Sequence, residues 1–409
     1  DVENFIDFFD SVFGRKVHPK SETWILGYTF DAWRKTTRIQ VNPETYPRRQ
    51  PGDFLLGPGG RPIRSGAEWE ERRQSIRRRI AEMLGEEPPR VPFVPHRKLT
   101  ETTWSNEGWL ATVFGRPTED AAGQARLRGE GMGVAGVPFG DGLKGELFYP
   151  LGPDGKRLPG KLPVVIWLHP YSYQNGWSAG RPWAPTSWDY ALDRRPSFSL
   201  LTSRGFAVFA FDQLGFGTRV HELRTFYDRY PHWSVLGNMI SDTRSAVDAL
   251  AALEEIDSSR IYLMGYALGG KVGLLTAAFE DRVKGVVSVC GFDPLRLDTP
   301  DKGTEGIRHY SHLHGLAPRL GFFLGHEDRL PFDFDEVLAL VAPKPVLLIA
   351  PTLDRYARVA DVRTEVERSR RAYRLLDSEG ALELETPLEI NRFPQHLQRQ
   401  AADWIARAR

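Results

Sequence analysis

Cysteine is almost absent: the single Cys290 among 409 residues excludes an internal disulfide framework and a cysteine-built zinc centre. An excess of charge of either sign is missing too. Lys and Arg number 54 against 53 Asp and Glu, a formal net charge of +1, which leaves no electrostatic footprint for nucleic acid or an anionic membrane. Long apolar runs are lacking. Val164-Val165-Ile166-Trp167-Leu168 is typical of the longest, far short of the roughly 20 residues that span a bilayer. Asp1-Val2-Glu3-Asn4 show no basic start and no apolar signal core, and the chain carries no internal repeat or low-complexity tract. What is there is ordinary globular composition, 41% hydrophobic, 11% aromatic and 26% charged. With about 150 residues to a domain, the length predicts two to three units.

Residues 1–125 differ from the rest of the chain. They hold aromatic clusters (Phe5, Phe8, Phe9, Trp24, Trp33), turns rich in proline and glycine between Pro47 and Pro62, and one convincing helix over 68–84. Gly85 is the expected stop, and Pro88-Pro89 cannot continue the helix. Its arginines, Arg72, Arg73, Arg77, Arg78 and Arg79, read as a solvated face in preference to an anion site. This stretch is expected to be an N-terminal extension packing on a catalytic domain of residues 126–409.

From about residue 125 the chain alternates short apolar runs with helical periodicity. Strands are expected at 143–149, 162–168, 206–211, 260–264, 286–289, 346–350 and 382–384. Helices are expected near 197–204, 238–255, just past 265, 362–376 and 395–408. Strands rich in Val, Ile, Leu and Phe between helices predict an α/β fold, a doubly wound and mostly parallel sheet covered on both faces. In such sheets ligands bind beyond the carboxyl ends of the strands, so each strand-to-loop junction is a candidate for chemistry.

The sharpest junction is Gly265-Tyr266-Ala267-Leu268-Gly269-Gly270-Lys271. Glycines so placed make sense where the chain turns tightly enough for Cβ atoms to collide with neighbours. The stretch matches the first part of a phosphate-binding loop, but the hydroxyl that would reach magnesium is replaced by Val272. It fits better the strand–turn–helix that presents a nucleophile, Gly-x-Ser-x-Gly, with alanine where the serine belongs.

Together with Val164 to Pro170, Phe209 to Gly217 and Pro345 to Asp354, this junction resembles the α/β-hydrolase superfamily over about residues 125–409. Within it the chain is most similar to the branch of dienelactone hydrolases and acetyl-xylan esterases. The resemblance implies a serine-type carboxylic ester hydrolase with Ala267 at the nucleophile position. A methyl group cannot attack a carbonyl, so this chain should form no acyl-enzyme. Either a serine was replaced to hold substrate without turnover, or the protein is a natural silent relative. The otherwise complete apparatus favours the former, and Ala267→Ser is expected to restore hydrolysis.

The resemblance also assigns partners. Asp354 is the acid that orients the base, with Asp328 in reserve. The base should follow the acid in the chain, which points to His396; His314, in the cluster His309, His312 and His314, is the alternative. The loop 387–393, where the superfamily histidine normally sits, holds none. The oxyanion donors are the backbone N–H of Leu268 and that of Tyr171 or Ser172, since Pro170 has none to offer. His169 reads as a structural residue beneath the site. Trp177, Trp183 and Trp188 on a long aromatic loop suit either stacking on sugar faces or packing down as a lid without ligand contact, and Arg181 and Arg219 suit either a uronate carboxylate or a surface salt bridge. No cofactor and no metal is implied. The expected partner is a small-molecule or carbohydrate ester, with no nucleic acid and no membrane. A polysaccharide substrate would imply a periplasmic or secreted protein. A serine peptidase of the same fold and a catalytically silent binding protein are the other readings.

Overall fold

The computed structural model describes residues 9–10, 12–15, 28–50, 52–99, 129–172, 176–178, 198–297, 306–313 and 315–408. Eight strands form one sheet: β1 (Met132–Phe139), β2 (Leu143–Pro150), β3 (Leu162–Leu168), β4 (Ala207–Phe211), β5 (Ile256–Tyr266), β6 (Val283–Val289), β7 (Val346–Ile349) and β8 (Leu382–Glu385). Their spatial order is β1-β2-β4-β3-β5-β6-β7-β8. The pairs β1–β2 and β2–β4 are antiparallel and the remaining five are parallel. From β3 the chain first winds to one side, to β4, and then crosses to the other, to β5. The crevice between the ends of β3 and β5 is therefore the switch point at which doubly wound sheets bind ligands.

Sequence reasoning missed β1, because Gly131, Gly133, Gly136 and Gly140 mask it as a loop. Gly133 has to be glycine for a packing reason. A Cβ there would fall 2.4 Å from the Tyr149 ring on β2.

Seven helices matter for the argument: α1 (Phe30–Thr37), α2 (Gly66–Leu84), α3 (Val235–Ala252), α4 (Leu268–Phe279), α5 (Phe334–Val341), α6 (Val359–Leu375) and α7 (Gln395–Arg407). The alternation along β3 sorts them. Val164, Ile166 and Leu168 join the core shared with α2 to α6, whereas Val165 and Trp167 face α7 and the short helix Phe198–Thr202. Both faces are thus buried, which is why the central strands read as unbroken apolar runs.

The N-terminal region belongs to the first of these cores through Phe54, Trp69, Ile76, Ile80 and Met83. A reciprocal capping box between Ser65 and Glu68 starts α2. Its arginines correct the expectation of a solvated face. Arg72 donates to the Phe54 carbonyl (3.0 Å), Arg73 to Leu340 (3.1 Å), Arg77 to Ala278 at the end of α4 (2.8 Å) and Arg79 to Pro331 (2.7 Å). Only Arg78 of the five is exposed. Long stems cover apolar surface while the guanidinium forks satisfy carbonyls at helix and loop ends, so these charges dock the extension rather than solvate it.

Candidate active site at the carboxyl edge of the sheet

At the end of β5 the chain turns through Ala267, whose φ of 49° and ψ of −115° lie in a region that L-residues rarely adopt. Ala267 caps α4, and its N–H donates to the Val289 carbonyl on β6 (2.8 Å). Two glycines make the turn possible. A Cβ on Gly265 would meet the Gly269 carbonyl carbon at 2.2 Å, and one on Gly269 would fall 1.9 Å from the Leu168 oxygen. The first turn of α4 is therefore pressed against the end of β3. Position 267 thus lies at the junction between the end of β5 and the first turn of α4.

The close approach at Gly269 brings the loop after β3 to the same place. His169 is fully buried: its Nδ1–H donates to the Pro170 carbonyl (2.7 Å) and its Nε2 accepts from the Gln213 N–H (3.0 Å). Burial pushes its pKa down, against the pull of Asp212, and both ring nitrogens are engaged by the loops after β3 and β4. Tyr171 is half-buried, with its hydroxyl 2.9 Å from Nε2 of His309. Ser172 is buried, and its Oγ has no hydrogen-bond partner among the described residues.

Asp212, just past β4, ties the loops after β3 and β4 together. Its carboxylate accepts from the N–H of Trp177 (2.9 Å) and from the N–H and Oγ1 of Thr218 (2.8 and 2.9 Å). Gly176 and Gly217, both with positive φ, wrap it closely; a Cβ on Gly176 would lie 1.9 Å from Oδ1. Trp177 packs against Phe148 and Phe198, which makes it a wall of the loop.

The loops after β7 and β8 are zipped together by backbone hydrogen bonds, Thr352 N–H to Pro387 O (2.9 Å) and Leu353 N–H to Glu389 O (3.0 Å). That pairing sets Asp354 beside Asn391. The Asn391 amide donates to Oδ2 of Asp354 (2.9 Å), while the Tyr266 hydroxyl donates to Oδ1 of Asn391 (2.8 Å). A carboxylate only accepts, so Nδ2 must face Asp354 and the orientation of the amide is fixed. Oδ1 of Asp354 closes a local turn by accepting from the Tyr356 N–H (2.9 Å). Phe393, fully buried against Trp167 and Tyr266, anchors the loop two residues further on.

His396 is exposed in the first turn of α7, and the hydrogen bond that Asp354 accepts from the loop after β8 comes from Asn391. His309 and His312 diverge: His312 leans on Phe30 of α1, with ring centroids 4.2 Å apart, and pairs with Ser311. Among the described residues no group of three or more His, Cys, Asp or Glu is placed to hold a metal. His314, Arg181, Trp183 and Trp188 lie outside the described residues. Asp328 pairs with Arg48 on the N-terminal extension (3.3 Å).

Arg219 is buried and already engaged, to Asp242 at 2.7 Å and through two nitrogens to Glu222 at 2.9 and 3.0 Å. Burial opposes its charge, but the two carboxylates more than offset that and hold its pKa above the usual value. It braces α3 against the loop after β4 and has no fork left for a ligand carboxylate.

Sequence reasoning missed Asn391, Tyr266 and Asp212 as members of this region. The loop 387–393 stands out in the sequence only for lacking histidine, and no local pattern says that its asparagine reaches Asp354.

Comparison with known proteins agrees with the fold. The profile of the alpha/beta hydrolase fold family matches residues 174–326. Over 204 residues the chain is 29% identical to the putative hydrolase YtaP of Bacillus subtilis (strain 168), covering 49% of this chain and 63% of that protein. Over 151 residues it is 26% identical to carbohydrate esterase MZ0003 from an unknown prokaryotic organism, 36% of this chain and 35% of that one. The chain thus spans less than two thirds of the length of these curated relatives. Among solved structures, a glucuronoyl esterase from Solibacter usitatus superposes with a TM-score of 0.64 at 15% identity, over 89% of this chain and 99% of its own. At that identity the match speaks for the fold.

Proposed function

We propose that this chain belongs to the α/β-hydrolase superfamily, carries the site of a carbohydrate ester hydrolase and, with alanine at 267, holds such an ester without opening it. The activity proper to the architecture is removal of an acetyl or methyl ester from a sugar. The observation that carries the reading is the backbone of Ala267: a strained residue costs about 1–3 kcal/mol. It is of use for presenting position 267 at the end of β5, beside the amino end of α4. There the Leu268 N–H and the loop at Tyr171 and Ser172 supply donors for a carbonyl oxygen. The choice of sugar esters is supported by the likeness to a carbohydrate esterase and to a glucuronoyl esterase.

Isothermal titration of the chain with methyl uronate and acetylated xylose oligosaccharides tests this. Saturable binding, no released methanol or acetate, and loss of binding in Ala267→Phe are expected. Equal affinity for the ester and its de-esterified sugar, or no binding of either, would sink it.

A further inference from the structure

We infer that Asn391 stands where the general base of this site belongs, so that among the described residues two of the three groups needed for turnover are missing, not one. The inference rests on the ester-hydrolase reading above and deepens it. In a working triad the base makes two bonds: one ring N–H donates to the acid, and the other nitrogen takes the nucleophile's proton. Asn391 makes the first of these. Its Nδ2 donates to Oδ2 of Asp354 at 2.9 Å, from the loop after the last strand. It cannot make the second. An amide offers donors on nitrogen and an acceptor on oxygen, but no nitrogen lone pair that binds a proton near neutral pH, and its Oδ1 is already taken by Tyr266.

Around it the place is built. Phe393 pins the loop in the core, the backbone pairing with 352–353 fixes its register, and the hydroxyl of Tyr266 comes from the residue just before Ala267. Tyr266 thus connects Asn391 to the elbow through one covalent step and one hydrogen bond. His396, exposed on α7, is outside this chain of contacts. Replacement of a single serine does not account for both positions, which favours a natural silent relative over a substitution at 267 alone.

An imidazole at 391 together with a serine at 267 would complete the cycle. The imidazole takes the serine proton as Oγ attacks the ester carbonyl, and passes it to the departing alcohol. Water then adds to the acyl-serine, its proton goes through the imidazole back to Oγ, and the carboxylic acid leaves.

The test compares Ala267→Ser, Asn391→His and the double variant, using an aryl acetate, a fluorophosphonate label followed by mass spectrometry, and the sugar esters. General-base catalysis is worth about 10²–10⁴-fold. The double variant should therefore exceed Ala267→Ser by at least about 100-fold in kcat/KM on the aryl ester and label in proportion. Ala267→Ser should stay within about tenfold of the parent. If Ala267→Ser matches the double variant, the base lies elsewhere and the inference falls. Labelling and aryl-ester turnover without any sugar-ester binding would leave the inference standing and overturn the substrate reading instead. Should the double variant fold poorly, Asn391→His alone decides by NMR titration of the new imidazole. A pKa that drops by about one unit when Asp354→Asn is added supports the placement, and an unchanged pKa overturns it.

Discussion

The two sides of the candidate site differ in what holds them in place. On the β5–α4 side the backbone is held by the positive φ at Ala267 and by glycines at 265 and 269 whose Cβ atoms would meet neighbouring backbone. On the β7–β8 side a side-chain bond, Asn391 to Asp354, ties the two loops, and on the reading proposed above its donor is an amide where a base belongs. The difference separates two kinds of constraint. The turn is interlocked with β3 and β6, so relaxing it would disturb the centre of the sheet. The side chains at 267 and 391 meet a different demand, and on the proposed reading turnover would need other groups there.

If the turn is locked by packing, Gly269→Ala should have the largest effect. The added Cβ meets a backbone oxygen at 1.9 Å, which cannot move aside, and a loss of about 5 kcal/mol is expected in urea denaturation. A melting curve like the parent's would mean that the elbow is free to relax. Next comes Arg219→Met. Removing the guanidinium leaves Asp242 buried without its partner and should cost about 3 kcal/mol. A variant that keeps its stability but loses ligand would return Arg219 to the binding site.

A third prediction sets the site against the docking of the N-terminal region. There Asp335 accepts from the Gly52 N–H (2.7 Å) and its own N–H donates to Glu365 (3.1 Å), with Asp333 and Glu336 nearby and Arg296 and Arg368 facing them. Burial, reinforced by the neighbouring carboxylates, pushes Asp335 up to about 7 and Glu365 up to about 9. Both groups bind protons more tightly folded than unfolded, so stability is full at acid pH and is lost as pH rises through these values. A fall of about 5 °C in melting temperature between pH 6 and pH 9 is expected, and Glu365→Gln should flatten it. A melting temperature that rises over this range would contradict the assignment.

The smallest effect has the most unusual sign. Ala267→Gly should stabilise the chain by about 1 kcal/mol, because glycine adopts the observed φ without strain. If it destabilises, the positive φ carries no strain worth relieving, and the argument that position 267 is held for presentation weakens.

The sequence by itself determined the α/β class, the places of β2 to β8 to within a few residues, and the tight turn after β5. Each is written in local pattern: unbroken apolar runs mean strands buried on both faces, and closely spaced glycines mean a turn that excludes Cβ atoms. β1 escaped because its glycines look like a loop until Tyr149 is seen filling the space above Gly133. The arginines of α2 looked solvated because nothing in a helical pattern says whose carbonyls lie opposite. Only the tertiary structure decided which residue bonds to Asp354. That contact joins positions 37 residues apart through the paired loops after β7 and β8, and such a pairing depends on the register of the whole sheet edge. Local sequence carries propensity and periodicity, whereas the partner of a side chain is settled by the packing of distant elements, and Asn391 became visible only there.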